Sequence, residues 1–519
     1  MPYKTISQDI IQNRNTFKWI SIFIKQEGKI MNIVFCHMGA ESMGIEYLSA
    51  VLKSKGHQVT LVFDPKLFDD KYYLHIKPLA KIFNKKKALV HRIKAINPDI
   101  ICFTVLTDTY KWACSFAKEI KKAVPDKYII FGGVHPTSVP EIVIKNDFVD
   151  AVCIGEGEDA ILEFVEAINR TDIKNFWFKK DGKIIKNKIR PLRQDLDALP
   201  FPDKSIFENE ISLKTGYLIA ANRCCPFSCT YCFSNYYTSL YKGQKIVRQR
   251  SVENVIEELR IAKKRFGIKS VYFVDDVFCI NQEYLLNFFD LYRQHINLPF
   301  KIISHPAVIT DEMVKTFKKS GCFNLEIGIQ SMCQQTRKDI LHRYETNEAI
   351  IKAVNILESN KMPYTLHHIF GLPNDDYAKL LAAAEFYHNL KYCTKIDCYW
   401  LSYFPKTEIV DISQKLGLIN QKDIDRINNG DERMYFEGGS VRDKKMQRLC
   451  KNFDIFFQLC PFLPKALTKL LFKKRVFNYF YLLPDFTITA ANLANAVKNK
   501  DSRTFDYIKY YYRHIIKFK

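Results

Sequence analysis

From Met31 onward the chain alternates short, unbroken apolar runs with segments of helical length, and it does so in two series. The first series of runs comprises Asn32-Ile33-Val34-Phe35-Cys36, Val59 to Phe63, Ile100 to Val105, Tyr128 to Phe131 and Ala151 to Ile154. Helices are expected through Ile45 to Lys55, with Gly56 as the stop, and from about Trp112 to Ala123. Strands that are apolar at successive positions are buried on both faces, which requires helices on both sides of a parallel sheet. The predicted fold class is therefore α/β, beginning with a doubly wound, Rossmann-like domain over residues 31–172. Such sheets take their ligands at the carboxyl ends of the strands. Those ends are rich in small residues here: His37-Met38-Gly39-Ala40, Gly132-Gly133 and Gly155-Glu156-Gly157-Glu158.

Residues 173–205 read as a linker, with many charges, a turn at Asp181-Gly182, and Pro191, Pro200 and Pro202. The second series spans 206–418. Its candidate strands are Tyr217 to Ala221, Val271 to Val274, Phe300 to Ser304, Asn324 to Ile329, Thr365 to Phe370 and Cys398 to Phe404. Six strands with helical connections predict a partial (β/α)6 barrel, whose chemistry belongs at the strand C-termini. Residues 419–519 are expected to form a helical, basic and aromatic-rich region. Residues 1–30 read as an N-terminal extension without assigned function, with Met31 as an alternative start.

Composition narrows the class. With 519 residues, 47% hydrophobic and 26% charged, the chain can build about three cored domains, and disordered or fibrous classes are excluded. No apolar run approaches the ~20 residues that span a bilayer. Fifteen cysteines are too sparse for a disulfide scaffold, and no signal peptide is visible, so a cytoplasmic location is expected. The net charge is +22, and residues 441–519 hold 17 Lys/Arg against 5 Asp/Glu. That tail is either a solvated basic face or a surface for an anionic partner, with peripheral membrane contact as the sharper reading.

The densest chemistry lies in Arg223-Cys224-Cys225-Pro226-Phe227-Ser228-Cys229-Thr230-Tyr231-Cys232-Phe233, directly after the first strand of the second series. Cys225, Cys229 and Cys232 have the spacing C-x3-C-x2-C. A zinc site wants four ligands in two pairs, and no second pair is nearby. Three thiolates in one tight loop suit a [4Fe–4S] cluster with one iron open to substrate, facing the barrel mouth. Cys224 reads as a small packing residue rather than a fourth ligand.

This segment resembles the radical S-adenosylmethionine (SAM) superfamily. The resemblance implies that the open iron chelates SAM and that one electron cleaves it to a 5′-deoxyadenosyl radical. Ser251 and the following helix, behind Arg248 and Arg250, also fit the family's barrel. So do Gly371-Leu372-Pro373 and Phe404-Pro405-Lys406-Thr407. The resemblance places Tyr231, Asp275, Asp276, Glu326, Gln330 and His368 at the SAM site. Gln330 stands where the family has Glu, and period-two alternation puts Glu326 and Gln330 on one strand face.

A doubly wound domain before such a barrel resembles the cobalamin-binding radical SAM subfamily. The implied cobalamin contacts are Met38, Gly39, Thr104, Leu106, Thr107, Gly132, Gly133, His135, Gly155, Glu156 and Gly157, since small residues let backbone approach a large cofactor. The Asp-x-His-x-x-Gly motif that supplies a cobalt ligand elsewhere is absent. A hydrogen-bonding or packing role is accordingly expected for His135. The implied activity is methylation of an unactivated carbon of a small or lipid-like metabolite. Ring-forming oxidation of the magnesium-protoporphyrin monomethyl ester cyclase type is the alternative. A tRNA methylthiotransferase would need further cluster cysteines, whereas Cys36, Cys102, Cys114 and Cys153 are scattered, so a nucleic-acid partner is not expected. The chemistry implies an anaerobic setting and an external one-electron donor of flavodoxin or ferredoxin type.

Overall fold

The computed structural model describes residues 29–70, 74–278, 281–431, 439–484, 486–498 and 502–516. The first sheet has seven strands: β1 (Asn32–Met38), β2 (Gln58–Asp64), β3 (Ile100–Thr104), β4 (Tyr128–Gly132), β5 (Ala151–Cys153), β6 (Phe176–Lys180) and β7 (Lys183–Lys186). Their order is β2-β1-β3-β4-β5-β6-β7. The first five are mutually parallel, and β6 and β7 add antiparallel at one edge. Alternate residues of each strand feed opposite cores. Phe35 packs with Val51, Ile161 and Phe164 on one face, while Val34 packs with Phe103, Phe116 and Phe131 on the other. Helix α1 (Met43–Ser54) covers the first face, its N-terminus capped by Ser42 accepting from the Ile45 N–H at 3.5 Å. Helix α2 (Tyr110–Ala123) covers the second face, and α3 (Glu158–Glu166) lies beside α1.

The front of the expected linker is thus not a linker. Residues 176–186 form the β6–β7 hairpin, turning at Asp181 and Gly182, both with positive φ. Phe176 and Phe178 stack at 5.4 Å and belong to the sheet's core. The numerous lysines of this stretch lie on an edge hairpin that is solvated on one side.

The second sheet carries six parallel strands in chain order: β8 (Tyr217–Ile219), β9 (Val271–Phe273), β10 (Phe300–Ser304), β11 (Cys322–Gln330), β12 (Tyr364–Phe370) and β13 (Cys393–Trp400). Helices α4 (Val252–Phe266), α5 (Gln282–His295), α6 (Asp311–Lys319), α7 (Asn347–Ser359) and α8 (Tyr377–Tyr387) cover its outside. Strand β13 begins five residues before the expected strand at Cys398. Thr394, Lys395 and Asp397 interrupt its apolar pattern and hide its start. Along β11, Leu325, Ile327 and Ile329 are buried in the outer core, leaving Asn324, Glu326 and Gly328 for the lumen.

The C-terminal region belongs to both layers. Helix α9 (Lys444–Leu459) buries Phe453, Phe456 and Phe457 in the barrel's outer core, each worth roughly 1.5–3 kcal/mol. Helices α10 (Lys465–Lys473), α11 (Phe486–Lys498) and α12 (Ser502–Ile516) follow. Helix α12 returns to the first sheet, where the Tyr510 hydroxyl donates to the Pro65 carbonyl at 2.9 Å. Among the described residues, no helix is long and apolar enough to cross a membrane.

Candidate functional site

The cysteine loop leaves β8 through Asn222 and Arg223, which pair antiparallel with Arg248 and Gln249. Cys224 has φ +69°, the conformation that favours glycine, and its Sγ accepts from Arg248 Nη2 at 3.4 Å. That side chain is committed to the arginine. Cys225, Cys229 and Cys232 lie near enough to influence one another's ionisation, and the Cys232 N–H donates to the Cys229 carbonyl at 3.1 Å. Burial raises all three thiols, that of Cys225 to about 12. Thr230 pins the loop to the connection after β11, its Oγ1 donating to the Ile340 carbonyl at 2.6 Å. Three thiols in one loop, with the fourth engaged elsewhere, fit a three-ligand iron–sulfur cluster.

The expected SAM residues divide. Asp275 is buried and accepts from the Asn222 N–H at 2.6 Å, tying β9 to the start of the loop. Burial raises its carboxyl to about 7, and its second oxygen is buried without a partner. Asp276 accepts from Ser234 Oγ at 3.2 Å, just beyond Cys232. Tyr231 and Cys229 both lie beside the Arg343 guanidinium, which donates to the Gly328 carbonyl at 2.6 Å and pairs with Glu345 at 2.7 Å. Gln330 has φ +66°, with Oε1 buried and unpartnered. Glu326 faces the lumen, paired with Lys301 and 3.8 Å from His367.

His368 is not at that mouth. It is fully enclosed on the helical side of β12, with Nδ1 3.1 Å from the Tyr387 hydroxyl and its ring edge-on to Phe457 at 5.0 Å. Burial lowers its pKa to about 3. Its neighbour His367 faces the lumen, between Glu326 and Asp397. The period-two signal was available, because His368 shares its strand face with Leu366 and Phe370.

A cavity of about 370 Å³ opens at the carboxyl ends of the first sheet. Thr104, Gly132, Gly133, Gly155, Glu156 and Gly157 line it, with Tyr47 and Leu48 from α1. The barrel closes it with Ala220, Asn222, Arg223, Arg250 and Val274, so the cavity wall continues into the cysteine loop. The remaining expected contacts stand apart from it. Met38 ends β1 and Gly39 follows it, both outside the lining, and Leu106 is exposed to solvent. Thr107 hydrogen-bonds His135 Nδ1 at 3.2 Å, and the His135 ring lies 4.1 Å from that of Tyr110. His135 is wholly buried, which lowers its pKa to about 4.

Gly133 has φ +101°, and a Cβ there would lie 2.9 Å from both N and O of Val105. Its glycine is demanded by the neighbouring backbone rather than by open cofactor space. Gly132 differs, since an added Cβ meets only Cys153, at 3.5 Å and beyond. A mostly apolar cavity whose lining includes Gly44, Gly132, Gly133, Gly155 and Gly157 fits a large cofactor with an aromatic nucleotide tail.

The two halves are locked by charge. Glu156 receives Arg248 at 2.8 Å and Arg223 at 3.1 Å, and Glu158 receives Arg223 at 2.6 Å. The ion pairs of Arg223, Arg248 and Arg343 are not legible in the sequence. No local pattern marks a partner 65 or 92 residues away.

Comparison with known families agrees with this arrangement. The B12 binding domain family matches residues 38–165, and the radical SAM superfamily matches residues 220–387. The chain thus carries a B12 binding domain followed by a radical SAM domain, and the cofactors of these domains are a [4Fe–4S] cluster, SAM and cobalamin. Among its relatives is an uncharacterized methyltransferase, PH0819, of Pyrococcus horikoshii, 27% identical over 66% of this chain and 72% of the relative. The anaerobic magnesium-protoporphyrin IX monomethyl ester cyclase of Rubrivivax gelatinosus is 23% identical over 85% of this chain and 80% of its own. The fold is that of the cobalamin-dependent SAM radical enzyme OxsB, solved with aqua-cobalamin and SAM bound. That likeness has a TM-score of 0.64 and 14% identity, and covers 92% of this chain and 76% of the other.

Proposed function

We propose that the chain methylates an unactivated carbon of a small or lipid-like substrate at the junction of the two sheets. The observation that carries this reading is the shared cavity, whose wall runs from Gly132 and Gly155 to Asn222 and Arg223 at the root of the cysteine loop. When bound, the cluster supplies one electron to cleave SAM and cobalamin supplies a transferable methyl group.

The chain's own residues do the rest. Cys225, Cys229 and Cys232 hold the cluster, and Cys224 stays with Arg248. Asp275 fixes the backbone at Asn222, and Asp276 places a carboxylate beside the loop, where it would receive the SAM ammonium group. Thr104, Gly132, Gly155 and Gly157 would hold the corrinoid's tail. Arg223 and Arg248, paired with Glu156 and Glu158, set the separation of the two cofactors. An external donor of flavodoxin or ferredoxin type delivers the electron, and the setting is cytoplasmic and anaerobic.

Ring-forming oxidation is the second reading, favoured by the 85% coverage of this chain by the Rubrivivax cyclase. Anaerobic incubation of the reconstituted protein with methyl-labelled SAM separates the two. Methylation requires S-adenosylhomocysteine alongside 5′-deoxyadenosine and a labelled corrinoid. Formation of 5′-deoxyadenosine alone, with an unlabelled corrinoid, would turn the assignment to the cyclase type.

A further inference from the structure

The C-terminal stretch that reads as basic and aromatic divides sharply in the folded chain. Its phenylalanines belong to the barrel. Phe477 is buried, Phe472 stacks on His388 at 4.3 Å, and Phe480 packs against the same core. The Arg475 guanidinium lies 4.6 Å from the Phe472 ring and is part of that packing.

Apart from Tyr479, what remains outside is aliphatic. Helix α10 leaves Leu467 and Leu470 exposed. The short 3₁₀ helix packed beside it (Val476–Leu482) exposes Val476, Tyr479 and Leu482, the last two by about two-thirds (67% and 68%). Residues three apart eclipse one another in a 3₁₀ helix, so positions 476, 479 and 482 form one straight apolar stripe. Lys469, Lys473 and Lys474 are exposed on the adjoining helix and its C-cap. Residues 455–484 hold five Lys/Arg and no Asp or Glu. A contiguous apolar stripe left in water beside three exposed lysines marks a contact surface.

We infer that this face, α10 with the 3₁₀ helix, docks peripherally on an anionic lipid bilayer. The leucines, Val476 and Tyr479 enter the acyl boundary, while the three lysines meet the headgroups. Charge decides the occupant. A second copy of this chain would bring an equally basic face against it, and like charges across an interface oppose association. A nucleic acid would use the lysines but leave the aliphatic stripe uncovered. The inference does not depend on which reaction the radical site performs.

The test is flotation of the full-length holoenzyme with vesicles of equal parts phosphatidylglycerol and phosphatidylcholine, and with phosphatidylcholine alone. At low salt the protein should float with the anionic vesicles. Raising salt to about 1 M, where charges are screened within about 3 Å, should release it. The variant K469Q/K473Q/K474Q should bind roughly 100-fold more weakly, about 1 kcal/mol for each lysine. The separate variant L470S/L482S should lose binding by roughly tenfold or more through its apolar contacts. Both should keep their corrinoid content, since none of these side chains touches the cavity. Failure to float at low salt, equal binding to the neutral vesicles, or undiminished binding by both variants would overturn the inference. So would a dimer that L470S/L482S dissolves, because a second copy would then be the occupant.

Discussion

Cys224 and Cys225 are adjacent, yet their surroundings assign them opposite roles. Cys224 is held at positive φ against Arg248, while Cys225 lies with Cys229 and Cys232. Replacing Cys225, Cys229 or Cys232 by Ala should abolish the iron–sulfur absorption near ~400 nm, whereas Cys224→Ala should retain most of it. Iron and sulfide analysis of each anaerobically purified variant checks this, and loss of the cluster from the Cys224 variant alone would reverse the assignment. Gly132 and Gly133 of the cavity wall form a second pair of neighbours with different duties. Gly133→Val places a branched side chain at φ +101° against the Val105 backbone, and strain alone should cost about 1–3 kcal/mol, so it tests folding rather than cofactor binding. Gly132→Val meets Cys153 at an ordinary 3.5 Å and extends into the cavity. It should retain the thermal midpoint and lose cobalamin, measured by the corrinoid spectrum of the purified protein.

Helix α9 is docked to β13 by a buried polar contact. The Trp400 Nε1–H donates to Asp454 Oδ2 at 3.0 Å, and Gln458 donates to the other oxygen at 2.5 Å. Burial raises the Asp454 carboxyl to about 6, well above its value in an unfolded chain. A raised carboxyl binds its proton more tightly when folded. Its contribution is therefore complete below about pH 4 and is lost as pH rises through about 6. The size is on the order of 3 kcal/mol. Trp400 emission should titrate with a midpoint near 6, and Asp454→Asn should remove that step while making α9 docking less dependent on pH. An unchanged titration in the Asn variant would locate the proton elsewhere. At the same scale, the period-two pattern of β12 separates His367 from His368, and the apolar company of Leu366 and Phe370 identifies which one faces the helices.

Across the whole molecule, the arginine–glutamate lattice joins the first sheet's cavity wall to the cysteine loop. Arg248 is nearly fully buried and donates to both oxygens of Glu156, at 2.8 and 3.0 Å. Removing one partner of a buried pair strands the other charge, at about 3–5 kcal/mol. Glu156→Gln should consequently separate the two sheets' unfolding in urea, so that corrinoid release precedes loss of the cluster. Coincident transitions at the parent midpoint would show that the lattice carries no such load. The first sheet is also closed from the far end of the chain by α12, through Tyr510 to the Pro65 carbonyl.

The sequence by itself determined the two strand–helix series, the barrel after the doubly wound domain, and the C-x3-C-x2-C loop on the first barrel strand. Those features are local: a burial period, a spacing and a turn residue are each written within a dozen positions. It also determined the small residues at the strand ends, though not which of them face open space. Tertiary structure alone decided that Glu156 meets Arg248, that residues 176–186 extend the first sheet, and that Phe472, Phe477 and Phe480 go inward while Leu467, Leu470 and Leu482 stay out. Each of these depends on a partner far along the chain. A buried charge or ring is placed by whichever distant group can desolvate and satisfy it, and no short window of sequence contains that group.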